Sequence, residues 1–480
     1  MAAHLAIVHL EPVPPKQRRR ALEGSLRAAI RSGRLAAGTR LPSTRALAGD
    51  LGLARTTVLE AYQQLEIEGY LRARRGAGTW VAELGVGARP RAVAAAEAPS
   101  SPRFSFNPGL PDLTAFPHNA WAKGLLEGLR SLPHTSLGYG DPRGHPELRA
   151  ALADYLSRAR AVVADPDLVI VCAGFSHSLS LVARVLHARG ARTMAMEDPC
   201  LAWHRDIVTR AGFDVAPLEV DGQGANTEVL ADVHANAVVL APAHQFPLGC
   251  VLSPRRRAAA IAWARATGGL VIEDDYDAEL RYDREPVGAL QQLDPDHVAF
   301  AGTLSKTLAP GLRLGWMVVP EPLVEPIVRV RRAEDVHVPV TEQIAFARLL
   351  ASGGFERHLR RLRRRYRRRR ERVLEMLAQR APAATAIGVS AGLRVLLRLP
   401  RPGPSAASLV RRGAERSLGL FPVGPCYHAG QSPDGGDGVV LGYAALPEHD
   451  FEPGLRFLGD LLADSLPPEQ SRLPRPSSTA

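Results

Sequence analysis

Cysteine is scarce in this sequence: there are four among 480 residues, Cys172, Cys200, Cys250 and Cys426, and no C-x-x-C pair. That spacing excludes a disulfide-stapled scaffold and the usual zinc ligand sets, and it suits a reduced, cytoplasmic protein with no metal site. Long apolar runs are missing too. None approaches the ~20 residues of a membrane-spanning helix, so no membrane partner is expected. Met1 to Arg20 places a short apolar patch before its basic run, the reverse of a secretory signal, so export is not expected. No internal repeat is visible. What is present is apolar residue enough for a sizeable core, 46% of the chain. The length suggests roughly two or three domains. The formal charge of +11 favours polyanionic partners, but arginine-rich composition on solvated surfaces gives the same balance, so charge leaves the partner open.

From Gln17 to Val81 the pattern reads helix, helix, helix, hairpin. Leu22, Leu26 and Ile30 put one apolar face on a first helix. Pro42-Ser43 opens a second, with Ser43 as N-cap and Leu47, Ala48 and Leu51 inward, and Gly52 closes it. Val58, Ala61, Tyr62 and Leu65 mark a third, stopped by Gly69. Tyr70 to Ala73 and Gly78 to Val81 then read as two short strands around a basic turn. Glu83 to Arg103, rich in Ala, Pro and Gly, reads as a linker, and the stretch from Ser465 as a disordered tail. The expected units are therefore 15–83, a linker 84–103, a large domain 104–464 and a tail 465–480. Within the large domain, the apolar runs Val169–Cys172, Thr193–Met196, Ala237–Leu240, Leu270–Ile272, Val298–Ala301 and Leu314–Val319 alternate with helical stretches. Runs of this kind predict an α/β fold with a mostly parallel sheet covered by helices, and ligands beyond the strand C-termini.

Leu41-Pro42-Ser43-Thr44-Arg45-Ala46-Leu47-Ala48, Arg55-Thr56-Thr57-Val58, Ala61-Tyr62, Leu65, Gly69 and Gly76-Ala77-Gly78-Thr79-Trp80-Val81 resemble the GntR-type winged helix-turn-helix. The resemblance implies binding to double-stranded operator DNA. A recognition helix would enter the major groove, with Arg55, Thr56 and Thr57 at the base edges and Arg55 able to pair bidentately with guanine. Ser43 and Arg45 at the second helix, and Arg74, Arg75, Gly76 and Gly78 in the wing, would meet the phosphates or the minor groove. Ala54 stands where the family usually has serine before the recognition helix. A three-helix interaction module is the other reading of this stretch.

Residues Phe104 to Leu461 resemble fold-type I aminotransferases, and specifically the MocR subgroup that joins them to a GntR-type domain. Tyr139-Gly140-Asp141-Pro142-Arg143-Gly144, His244-Gln245-Phe246-Pro247-Leu248-Gly249, Glu273-Asp274-Asp275-Tyr276-Asp277, and Thr303-Leu304-Ser305-Lys306-Thr307-Leu308 followed by Arg313-Leu314-Gly315 carry it, in order. The implied cofactor is pyridoxal 5'-phosphate (PLP), with Lys306 as the Schiff-base lysine. Asp274 would pair with the pyridinium nitrogen, a turn cap being the other reading of the Asp-Asp pair, and Tyr276 would contact the ring oxygen, a half-buried aromatic being the alternative. Thr303, Ser305 and Arg313 would hold the phosphate. Gly174-Phe175-Ser176, after a strand and opening a helix, would add backbone amides; an ordinary strand-to-helix turn is the alternative there. Tyr139 matches a tyrosine reaching the phosphate from the neighbouring subunit, so a homodimer is implied; a core tyrosine is the other reading.

Three departures from the aminotransferase pattern argue against efficient turnover. Asp198-Pro199 leads to Cys200-Leu201 rather than to the aromatic that stacks on the ring, leaving Trp203 to cover it by another route. Phe246 takes the place of an asparagine near the ring oxygen. Val440 stands where a C-terminal arginine would clamp a substrate carboxylate. His244 and His428 fit no metal motif and read as structural. Arg357 to Arg372 predicts a helix with a thin apolar stripe and a broad cationic surface, either a solvated face or a track for DNA phosphates. The expected function is a transcriptional regulator sensing PLP, or an amine or amino acid bound through it. The rivals are a working aminotransferase with an appended DNA-binding domain, and a regulator whose second domain only dimerises.

Overall fold

The computed structural model describes residues 14, 17–74, 77–83, 102–282, 287–432 and 436–466. Arg75 and Gly76 of the expected wing, the linker stretch 84–101 and the tail from 467 onward lie outside the described residues. The chain forms two compact units, Met1–Pro99 and Ser100–Ala480.

The small unit has three helices, Arg18–Arg31, Thr44–Leu51 and Arg55–Ile67, and an antiparallel pair of strands, Leu71–Arg74 and Gly78–Val81. The apolar faces expected from the 3.6-residue period close on one another. Leu22, Leu26, Val58, Ala61 and Leu65 are fully enclosed, and Tyr62 donates its hydroxyl to the Pro42 carbonyl at 3.0 Å. Ser43 caps the second helix, its Oγ accepting the Ala46 amide at 3.2 Å, and Gly52 ends it at φ +61°, a left-handed conformation that suits glycine. Ala54 has the extended backbone of an N-cap but no side chain to offer the third helix. Ala54→Ser is therefore expected to stabilise this unit by about 1 kcal/mol. A urea or thermal unfolding midpoint no higher than that of the wild type would contradict this.

The large unit is built on an eight-stranded sheet. All six apolar runs lie in it, as Val169–Cys172, Thr193–Asp198, Ala237–Leu240, Leu270–Asp275, Val298–Thr303 and Gly315–Val318. Five neighbouring strands run parallel, and Gly315–Val318 runs antiparallel to both of its neighbours. Sequence reading missed the parallel strand Asp214–Asp221, because its exposed and buried residues mix and form no apolar run. It also missed a second, four-stranded antiparallel sheet. There Arg394–Arg398 lies between Thr385–Ile387 and Gly438–Gly442, with Phe421–Pro422 at one edge.

Helices cover the main sheet, and the longest is Gly354–Arg380. Its apolar stripe, Phe355, Leu359, Leu362, Tyr366 and Val373, is buried as expected. The cationic surface is only partly a solvated face. Arg369 is 1% exposed, donating to the Ala444 and Leu446 carbonyls and pairing with Glu448 at 2.8 Å. Arg365 bridges Asp112 and Glu448, and Arg363 donates to the Glu279 carbonyl. Among the described residues no helix is long and apolar enough to cross a membrane.

Candidate functional site

A cavity of about 390 Å³ opens at the C-terminal ends of the parallel strands, where ligands of such sheets bind. Its walls come from the ends of Thr193–Asp198, Ala237–Leu240, Leu270–Asp275 and Val298–Thr303, so one edge of the sheet gathers residues far apart in the chain.

Strand alternation decides what the acidic run at 273–275 does. Glu273 and Asp275 share one face, away from the cavity. Glu273 accepts the Leu290 and Gln291 amides at 2.8 and 3.0 Å, and Asp275 is paired with Arg160 at 2.7 Å. Asp274 points the other way, into the cavity, and its enclosed Oδ1 has no hydrogen-bond partner. Burial, together with the nearby charges of Asp275, Glu197 and Asp277, pushes its carboxyl well above the usual range. A cationic ring nitrogen is the kind of group that would satisfy this orphaned oxygen. Glu197, also on the cavity wall, is pushed up to about 7 by burial.

Lys306 sits on the turn after Val298–Thr303. Leu304 and Leu308 on the same turn are buried in the core and fix it, leaving Ser305 and Lys306 toward the cavity. Lys306 Nζ donates to the Gly109 carbonyl at 2.6 Å. Burial, aided by the Arg394 charge, lowers its ammonium to about 8, so a usable fraction is neutral and nucleophilic near neutral pH.

The anion cradle is assembled around Gly174. This residue has φ +92° and caps the helix Phe175–Ala188, whose first amides have no partner within the helix. A Cβ added at Gly174 would lie 3.4 Å from Thr303 Oγ1, 3.8 Å from Arg313 Nη1 and 3.9 Å from Ser305 Oγ, so the three groups surround one small space. Thr303 Oγ1 and Ser305 Oγ are themselves 3.0 Å apart. Arg313 holds the left-handed conformation, φ +49°, which is unusual for a non-glycine residue and frequent at functional sites. Phe175 is buried, and both it and Ser176 line the cavity. Oxygen donors, a guanidinium and helix-start amides fit a phosphate; with Lys306 and the unbonded Asp274 they fit PLP.

Tyr276 is buried at the cavity wall. Its hydroxyl donates to the His244 carbonyl at 2.5 Å and accepts from Arg394 Nη2. His244 Nδ1 lies 2.9 Å from Asp277 in a buried pair, and the His428 amide donates to Asp198 at 2.8 Å. Tyr139 is 93% exposed and does not line the cavity of its own chain.

Besides Glu197, two wall residues that bear on the chemistry of the site escaped sequence reading. Trp203, expected as the substitute ring cover, is half exposed at the rim. The side chain beside it, His204, is buried on the wall with its ring 5.0 Å from that of Phe175. Burial and the Lys306 charge depress its imidazole to about 3, so it is a neutral, flat ring. Only the helical phase of Ala202–Arg210, started by Leu201, could have told His204 from Trp203. The other is Arg394, which arrives from the second sheet and had no motif to mark it.

In the small unit, Arg45, Arg55, Thr56, Arg74 and Gly78 are exposed, and Thr57 is half-buried. Arg55 is the first residue of its helix. Arg74 and Arg40 lie over the Trp80 ring at 5.8 and 5.6 Å, and Arg40 Nη2 donates to the Ala77 carbonyl at 2.7 Å, bracing the hairpin from which Arg74 projects.

Comparison with known proteins agrees with both units. Residues 18–81 match the bacterial regulatory proteins of the gntR family, and residues 109–416 match the aminotransferases of class I and II, a PLP-dependent family. The chain is 34% identical to a probable rhizopine catabolism regulatory protein, MocR, of Rhizobium meliloti, over 92% of each chain. It is 32% identical to the pyridoxine biosynthesis transcriptional regulator PdxR of Corynebacterium glutamicum, over 97% of this chain and 99% of that one. Among solved structures, kynurenine aminotransferase from Pyrococcus horikoshii shares the fold, with a TM-score of 0.68 at 22% identity, covering 76% of this chain and 92% of that one. A winged-helix unit and an aminotransferase-type unit in this order, matched along nearly the whole length of such regulators, place the chain in the MocR-type subgroup of the GntR family of transcriptional regulators.

Proposed function

We propose that this regulator holds PLP at Lys306 and reads either PLP itself or an amine or amino acid captured through it, converting occupancy into a change in binding to operator DNA. The observation that carries this reading is the convergence in one cavity of a partly neutral lysine, a carboxylate with an unbonded oxygen, and a hydroxyl–guanidinium–amide cradle. PLP, when bound, supplies an aldehyde for the lysine and an electron-withdrawing ring. The protein's own groups do the rest. Thr303, Ser305, Arg313 and the amides at Phe175 and Ser176 bind the phosphate, and Asp274 holds a proton at the ring nitrogen. Tyr276 orients the ring oxygen, and His204 is available to cover a ring face. An absorption spectrum of the PLP-loaded full chain, recorded before and after adding amino acids, tests this; a protein that takes up no PLP would end it.

The domain limits that accompany this reading are 15–83 for the DNA-binding domain and 104–464 for the PLP-binding domain, with the linker between. A cytoplasmic location follows from the DNA partner. A homodimer is supported by apolar side chains left exposed on one stretch, Leu126, Leu129 and Leu137, together with Tyr139. In such a dimer Tyr139 would reach the neighbouring subunit's phosphate.

Efficient transamination is not expected. Val440 is fully buried among Leu396, Phe246 and Tyr276 and offers no charge, and Leu201 offers no aromatic face. With common amino acids and keto acids we expect at most a slow half-reaction, followed by the cofactor's absorption. Rapid multiple turnover would refute this.

A further inference from the structure

We propose that Arg394 is the group that recognises an acidic substituent of the ligand, so that this regulator selects amines carrying a carboxylate. The inference rests on the amine-capturing role of the cavity. Arg394 begins the strand Arg394–Arg398, and its register with Gly438–Gly442 sets Arg394 opposite Gly442 and Leu396 opposite Val440. Residues two apart, and directly paired residues, share a sheet face. Arg394 therefore lies on the same cavity-facing side as Val440, one pleat along, and it lines the same wall as Lys306.

Its surroundings leave part of its hydrogen-bonding capacity unmet. The side chain is 4% exposed. The guanidinium lies over the Phe246 ring at 4.5 Å and the Tyr276 ring at 5.2 Å, and Nη2 donates to the Tyr276 hydroxyl. The nearby carboxylate is Asp277, 3.6 Å from Nη1, but both Asp277 oxygens already face His244 Nδ1 at 3.0 and 2.9 Å. Nε has no partner at all. Arg256 and Arg369, buried away from the cavity, also leave Nε unpaired, so it is the place on the cavity wall that sets Arg394 apart, whereas Arg331, another buried arginine away from the cavity, is fully met. Its three nitrogens are shared between the Asp335 carboxylate and the Pro142 and Val171 carbonyls. A buried guanidinium with idle donors, facing a cavity, is a planar fork suited to a carboxylate. The aromatic and aliphatic wall around it, Phe246, Leu201 and Phe421, would favour that pairing by excluding water. A ligand bridging Lys306 and Arg394 thus needs an amine at one end and an anionic group at the other.

The test uses full-length wild type, Arg394→Met and Arg394→Lys, with circular dichroism to confirm that each is folded. PLP-loaded protein is titrated with L-alanine and with ethylamine, which lacks only the carboxylate, and the cofactor's absorption change is read. Arg394→Met should weaken L-alanine by about 30-fold or more and leave ethylamine nearly unchanged, with Arg394→Lys recovering part of the loss. Equal losses for both ligands, or none for L-alanine, would overturn the proposal. A second arm needs no cofactor: propanoate should raise the melting temperature of the PLP-free wild type and not that of Arg394→Met. If no absorption band forms in any protein, the PLP reading fails and this arm alone decides Arg394. A propanoate shift equal in both proteins, or absent from the wild type, then counts against it.

Discussion

Lys306→Ala is expected to abolish the visible absorption of the lysine-bound cofactor and to leave borohydride nothing to trap. The effect should be total rather than graded, because the covalent link needs an amine and no other lysine lines the cavity. The surrounding fold should survive, since Leu304 and Leu308 anchor the turn by burial and the Lys306 side chain contributes one hydrogen bond, to the Gly109 carbonyl. Residual noncovalent PLP binding through Thr303, Ser305 and Arg313 is compatible with this outcome. An unchanged band in a folded Lys306→Ala protein would show that the cofactor is held elsewhere.

The second large effect is on DNA. Arg55 begins the third helix of the small unit with its side chain exposed, as a residue reading a base edge must be. Arg55→Ala should cost about 1–3 kcal/mol on the specific operator and less on random duplex, because a bidentate guanine contact needs one particular base. Arg74, on the hairpin and over the Trp80 ring, should act mainly through charge. Arg74→Ala should weaken both duplexes alike and flatten the salt dependence by about one unit. Gel shifts with both duplexes at several salt concentrations read all of this. Equal losses for Arg55→Ala on specific and random DNA would mean that another element reads the sequence.

The legibility of this chain varied with the kind of signal each residue carries. Apolar runs of strand length are unambiguous when both faces are buried, so all six strands they mark lie in the main sheet. Asp214–Asp221 is exposed on many of its residues and left no such run. The two-carboxylate stretch at 274–275 could be read either as a ring-nitrogen partner or as a turn cap. Strand alternation and the Arg160 partner, both tertiary facts, divide the roles. Arg357 to Arg372 was legible as an amphipathic helix. Which arginines turn inward depended on Glu448 and Asp112, which are remote in sequence.

By itself, the sequence determined the order of the two units, the helix and strand content of the first and the class of the second. These are local properties: periodicity, caps and short motifs survive without knowledge of what packs against them. Only the tertiary structure decided that His204 is the buried ring on the cavity wall while Trp203 stays half exposed, that Asp274 is the carboxylate left unbonded, and that Arg394 brings a buried charge to that wall. Each of these depends on which face of a helix or strand meets a partner hundreds of residues away. Burial and unmet hydrogen bonds come from that packing, and a linear pattern does not carry them.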